Sequence, residues 1–150
     1  MELWELVARE SIRDLVARYN ANGDSGRFEE MLKVFADDAV MEIVSADGTV
    51  RRFEGVAEVG TIFTDTKADW DGSTKAGPTR HHVRHFVSTH QIDLVDETHA
   101  RGRCYFLVVM GHGIDHWGRY IDEYGVREGA WVITQRRALS DGRIDNSLTN

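Results

Sequence analysis

The densest group of ionisable side chains in the chain is His81-His82-Val83-Arg84-His85, at the start of a long stretch rich in β-forming residues. Alternate residues of a strand share a face, so His81 and His85 lie with Val83 and Val87, while His82, Arg84 and Phe86 take the other side. A histidine among valines faces inward. Such a residue is more often a hydrogen-bonded core side chain than a catalyst, unless a carboxylate holds its tautomer and balances the imidazolium formed when it takes a proton. Asp24, at the end of the first predicted helix, is placed to be that carboxylate, and it could equally cap the helix that follows.

Other side chains offer weaker chemistry. The pairs His81/His85 and His112/His116 have a spacing that on a helix would suggest metal ligation, but both fall in strand or turn sequence. No Glu follows the first histidine, and no metal is expected. Arg136 and Arg137 end the last predicted strand and point to opposite faces. The inward one would hold a carboxylate, enolate or leaving anion, or else pair with an inward acid. Tyr19, a turn or so before Asp24, is either a core aromatic or a phenol donor. With no phosphate-cradling glycine loop, nucleophile elbow or dinucleotide fingerprint, nucleotide hydrolysis and hydride transfer lack support. Proton transfer needs only a base, an orienting acid and a dry pocket.

The elements that must position these groups are legible in the apolar periodicity. Leu3, Leu6, Val7, Ile12, Leu15, Val16 and Tyr19 recur at helical spacing, and Asn22-Gly23 suits a left-handed cap. A shorter helix is expected over roughly residues 26–35, with Phe28, Leu32 and Phe35 on one face. Asp37-Asp38 then breaks it before a strand over 39–44. Ala46-Asp47-Gly48 reads as a hairpin turn with a return strand over 49–53, and residues 55–66 as a third helix. Trp70 to Thr79 holds Gly72, Gly77 and the lone proline, Pro78, and is expected to be a loop over the site. Four long antiparallel strands are expected over 81–95, 100–110, 117–126 and 130–139. Helices followed by a meander of strands imply an α+β domain.

Bulk composition narrows the field. A chain of 150 residues supports one core, so residues 1–150 are expected to form one domain, with 141–150 a polar tail that is loose or docks on a neighbour. A formal charge of −7 and no Lys/Arg stripe argue against nucleic acid. Cys104 is the lone cysteine, which rules out an intrachain disulfide and fits a reducing cytoplasm. The acidic start Met1-Glu2-Leu3-Trp4-Glu5 and the lack of a long apolar run indicate neither export nor a membrane partner.

Several segments together carry a family resemblance: Ser11-Ile12-Arg13-Asp14-Leu15, Phe35-Ala36-Asp37-Asp38-Ala39, the strand from His81 to Thr89, Gly118-Arg119-Tyr120 with Asp122-Glu123-Tyr124, and Gly129-Ala130-Trp131-Val132-Ile133. The chain resembles the SnoaL-like group of the nuclear transport factor 2-like superfamily, which holds scytalone dehydratase, bile acid 7α-dehydratase, hexachlorocyclohexane dehydrochlorinase and polyketide cyclases. The resemblance implies a cone-shaped domain whose N-terminal helices close over a strongly curved, mainly antiparallel sheet around one pocket. It also implies a cofactor-free site and homodimers or homotrimers formed through the outer sheet. The family's Asp and His dyad looks like Asp24 and His85 here. Its pocket tyrosine and arginine look like Tyr19 and Arg136, and His81 and Tyr120 join them as substrate-binding candidates. The function implied is a lyase, a dehydratase or similar, acting on a small hydrophobic, cyclic or polycyclic molecule. Alternatives are an isomerase or cyclase using the same dyad, a ligand-binding module, or the small subunit of an oxygenase.

Overall fold

The computed structural model describes residues 1–72 and 82–149. Helix α1 runs Leu3–Asp24 and packs Ala8, Ile12, Val16, Tyr19 and Asn20 inward, while Leu3, Leu6 and Val7 of its first two turns stay exposed. It continues past Asn22-Gly23, so the helix ends two residues later than its sequence suggests. The left-handed residue is Gly26 (φ 72°), whose amide reaches the Gly23 carbonyl while the Arg27 amide reaches that of Asn22. This paired closure is a Schellman motif, and it leaves Asp24 as the last helical residue, held in a fixed direction. Gly23 is helical, and its lack of a side chain lets the next helix pack close: a Cβ there would come within 3.1 Å of Met31 Sδ.

Helix α2 is short, Phe28–Leu32, and strand β1 begins at Phe35 and runs to Val44. The expected helix to Phe35 and strand from Ala39 are both displaced, because the Val34 carbonyl accepts the Ile133 amide and Phe35 pairs with Ile133. Asp37 and Asp38 occupy an irregular stretch before regular pairing resumes at Val40. Strand β2 is Val50–Glu54, and helix α3 runs Val56–Gly72, longer than expected. The loop expected over 70–79 therefore starts inside α3, and its remainder lies outside the described residues.

Strands β3 (Arg84–Leu94), β4 (His99–Met110), β5 (Gly113–Arg127) and β6 (Ala130–Arg143) complete a six-stranded sheet in the order β2-β1-β6-β5-β4-β3. All neighbours are antiparallel except β1 and β6. The sheet is curved and open, with the helices over its concave face, an α+β fold of the cone-shaped nuclear transport factor 2-like kind. β-Branched and aromatic residues alternate with polar ones, so β4 turns Ala100, Cys104, Phe106, Val108 and Met110 inward. Residues 141–143 extend β6, and the chain beyond folds back: the Ile144 amide bonds the Asp115 carbonyl at 3.0 Å. Among the described residues no helix is long and apolar enough to cross a membrane.

At the centre of the core lies a charge. Arg136 on β6 is fully buried and directly opposite Asp122 on β5. It donates to both Asp122 oxygens, Nε at 2.8 Å and Nη2 at 2.7 Å, and Tyr124 donates its hydroxyl to the same carboxylate at 2.8 Å. The guanidinium lies against both the Tyr19 and Tyr120 rings, 4.3 and 4.0 Å from their centroids. Burial alone would lower the arginine's pKa, but the Asp122 carboxylate outweighs it and keeps the guanidinium protonated. Removing either partner strands a buried charge. Arg136→Met or Asp122→Ala alone should lower the unfolding free energy by about 3–5 kcal/mol. The double variant Asp122→Leu/Arg136→Met should lose far less than the sum, measured by urea unfolding.

Candidate functional site

Asp24 and His85 meet where the end of α1 crosses the start of β3. The Asp24 carboxylate accepts the His85 backbone amide through Oδ2 at 2.9 Å and faces the ring's Nδ1 through Oδ1 at 2.5 Å. One carboxylate thus fixes both the main chain and the ring. An ionised Asp24 requires the proton on Nδ1, which puts the lone pair of the neutral imidazole on Nε2. Side-chain exposure is 9% for Asp24 and 23% for His85, so the pair is shielded while the ring edge stays accessible. Both residues line a cavity of about 420 Å³, within the roughly 300–1,000 Å³ typical of small-molecule sites. Phe28, Met31, Ile62, Phe63 and Met110 give it apolar walls.

Of the other residues singled out from sequence, Tyr19 lines this cavity; its ring also packs edge-on against Phe35, Phe63 and Tyr120. Tyr120 is buried behind the wall, stacked on Phe106 and donating its hydroxyl to Asn20 Oδ1 at 3.2 Å. Burial raises both phenols' pKa values. Arg136 faces inward and Arg137 outward, the latter pairing with Glu42 at 2.9 Å. Of the two earlier options for the inward arginine, the structure takes the ion pair with an acid: Arg136 sits one layer behind the cavity, engaged by Asp122. His81 lies outside the described residues. Among the described residues no group of three His, Cys, Asp or Glu side chains is arranged to hold a metal.

Residues that sequence reasoning did not bring to the site are Asp115 and His116. Val109 pairs with Ile114 and Val108 with His116, so Asp115 is the extra residue of a β-bulge. The bulge lets Asp115 be fully buried while His116, its neighbour, lines the cavity. His116 Nδ1 lies 2.7 Å from Asp115 Oδ2, and His112 Nε2 lies 3.0 Å from Oδ1. The Ser147 hydroxyl and the Leu148 amide donate to the same carboxylate, at 2.7 and 3.0 Å. Burial opposes ionisation of Asp115, and these donors together outweigh it, holding its pKa below the usual carboxylate range. Through this bond set the carboxy-terminal segment is drawn in until Thr149 lines the cavity. The spacing of His112 and His116 was visible in the sequence; the bulge between them was not.

The fold places the protein in the nuclear transport factor 2-like class. Residues 4–137 match the SnoaL-like domain, and the chain belongs to that family. No curated protein matches it by sequence. Among solved structures it is similar to hexachlorocyclohexane dehydrochlorinase LinA-type3 from Novosphingobium barchaimii, at 17% identity and a TM-score of 0.73 over 96% of this chain and 93% of that one. It is also similar to a candidate scytalone dehydratase from Novosphingobium aromaticivorans, at 20% identity and a TM-score of 0.71 over 100% and 99% of the two chains. A third likeness is the beta subunit of a candidate aromatic-ring-hydroxylating dioxygenase from the same species, at 19% identity and a TM-score of 0.71 over 95% of each chain. At these identities the likeness is one of fold.

Burial holds the His116 pKa below the ordinary histidine value of 6.5, with Asp115 opposing and the nearby His85 reinforcing the shift. His90 shifts the same way, mainly through burial. The unfolded chain therefore binds protons more readily as pH drops below 6.5, and that stability, complete above 6.5, is lost on acidification. Urea unfolding at about pH 7.5 and about pH 5.5 should show lower stability at the acid value. The drop should be smaller in His116→Gln.

Proposed function

We propose that the protein is a cofactor-independent lyase that eliminates water or a similar group from a small cyclic or polycyclic molecule. The observation that carries this reading is the doubly bonded Asp24–His85 pair on the wall of a largely apolar cavity. His85 Nε2 takes a proton from carbon, the C–H electrons form a carbon–carbon double bond, and the leaving group departs with the electrons of its own bond. Asp24 stays ionised and balances the imidazolium, as a carboxylate partner does in acid–base pairs. The apolar walls provided by Phe28, Met31, Ile62 and Phe63 suit a ring substrate. The similarity to a dehydrochlorinase and a candidate dehydratase supports the same reaction class.

The test is a screen of cyclic β-hydroxy ketones and polyhalogenated cyclohexanes, followed by kinetics of variants on whichever is turned over. His85→Ala and Asp24→Asn should each cut kcat/KM by about 10²–10⁴-fold. The double variant should be little worse than His85→Ala, because the two act as a unit, and circular dichroism should show the fold retained. Multiplicative losses in the double variant, or full activity without His85, would sink the reading.

We also propose that copies associate through the convex face of the sheet. Phe86, Leu107 and Trp117 are successive partners across β3, β4 and β5, and Phe86 is 58% exposed. An apolar row of this kind on an open sheet is a contact surface. Light scattering should give the mass of a homodimer or homotrimer, and Phe86→Glu should shift it toward the monomer. A monomeric wild type would refute the assignment.

A further inference from the structure

The cavity holds a second Asp–His pair. His85 pairs with Val108, and Val108 with His116, so the two imidazoles flank one buried valine in a single cross-strand row on the concave face. Curvature of the sheet brings their ring centroids to 6.5 Å, nearly perpendicular. Phe106 lies 6.2 Å from each. Each ring has its Nδ1 on a carboxylate, Asp24 for His85 and Asp115 for His116, so each has Nε2 available to a ligand. Asp115 is the better anchored carboxylate, fully buried with four donors on its two oxygens. A base needs one such pair; a second is unexplained by proton abstraction alone.

We propose that His116, held by Asp115, is the general acid that protonates the leaving group, and that the substrate therefore carries an oxygen leaving group, a hydroxyl β to a carbonyl, rather than a halide. This inference rests on the lyase reading and adds the acid and the leaving group to it. A chloride departs unassisted, whereas hydroxide is too basic to leave without a proton, so a built donor has a use in the second case alone. The productive state holds one proton, on His116 with His85 neutral, and because burial lowers the His116 pKa this is the minor form above pH 6.5. His85 Nε2 takes the proton from the carbon next to the carbonyl, and its C–H electrons become the double bond. The C–O bond breaks, and the departing oxygen takes the His116 proton and leaves as water. The site ends with the same single proton, now on His85, and is reset when that proton returns across the cavity to His116. Asp115 is a positioning residue, acting through His116.

The probes are 3-hydroxycyclohexanone and 3-(4-nitrophenoxy)cyclohexanone, which give the same enone and differ in leaving group alone. His116→Gln should lower kcat/KM more for the alcohol than for the aryloxide, so that their ratio falls by about 10²-fold or more. Asp115→Asn should move the ratio in the same direction by a smaller factor, which keeps the test open if one variant folds poorly. His85→Ala should lower both substrates alike. Equal losses on the two probes in His116→Gln would overturn the assignment, because a merely structural role predicts an unchanged ratio. So would a wild type that turns over the aryloxide and not the alcohol. Turnover of neither probe, with a polyhalogenated cyclohexane turned over instead, would overturn the hydroxyl assignment and leave the lyase reading standing; full activity on both probes in His85→Ala would remove the lyase reading itself and the acid with it.

Discussion

The bidentate pair between Arg136 and Asp122 sets the frame in which everything else sits. It joins opposed positions of β5 and β6, so a slip of one residue would turn the guanidinium outward and break the pairing. It also reaches beyond the sheet: the guanidinium lies against the Tyr19 ring of α1 as well as the Tyr120 ring of β5. One buried charge thereby fixes the register of the last two strands and the seat of the first helix. Asp24 follows from that seat, being the residue at which α1 ends. A hydrocarbon core could match the stability of this arrangement, but it would not specify the register as sharply.

Arg136 Nη1 is buried and without a hydrogen-bond partner among the described residues. An unpaired donor at the centre of a domain costs free energy, and here the flanking tyrosine faces offset part of that cost. Cation–ring contacts accept a guanidinium face without using its edge. The result is one buried ion pair set in an otherwise apolar core, directly behind the cavity wall.

Asp24 and His85 were legible in the sequence because each rests on a local signal: a helix reaching its end, and a histidine among valines in strand alternation. The direction of Arg136 relative to Arg137 was half legible, since alternation separates them without saying which turns in. The partner across the sheet, Asp122, decided it, and that contact spans fourteen residues of chain. Asp115 was out of reach for a different reason. Strict alternation counts residues, and a bulge changes the count, so a carboxylate beside an inward histidine appears to face out until the ladder is seen. The start of β1 moved for a similar reason, Ile133 pairing with Phe35. That is a tertiary contact that no window of sequence contains.

The cavity is built from two kinds of wall that come from different parts of the chain. Asp24, His85 and His116 stand on the end of α1 and on strands β3 and β5, backed by the core, whereas the apolar side chains Phe28, Met31, Ile62 and Phe63 come from α2 and α3. The bonds from Asp24 to His85, and from Asp115 to His116, Ser147 and Leu148, are made with residues of the strands and the carboxy-terminal segment. Shape and reactivity are therefore separable inheritances: drift in two helices can remould what fits while the proton-handling strands stay as they are. A lineage carrying this scaffold can change its ligand without reinventing its chemistry.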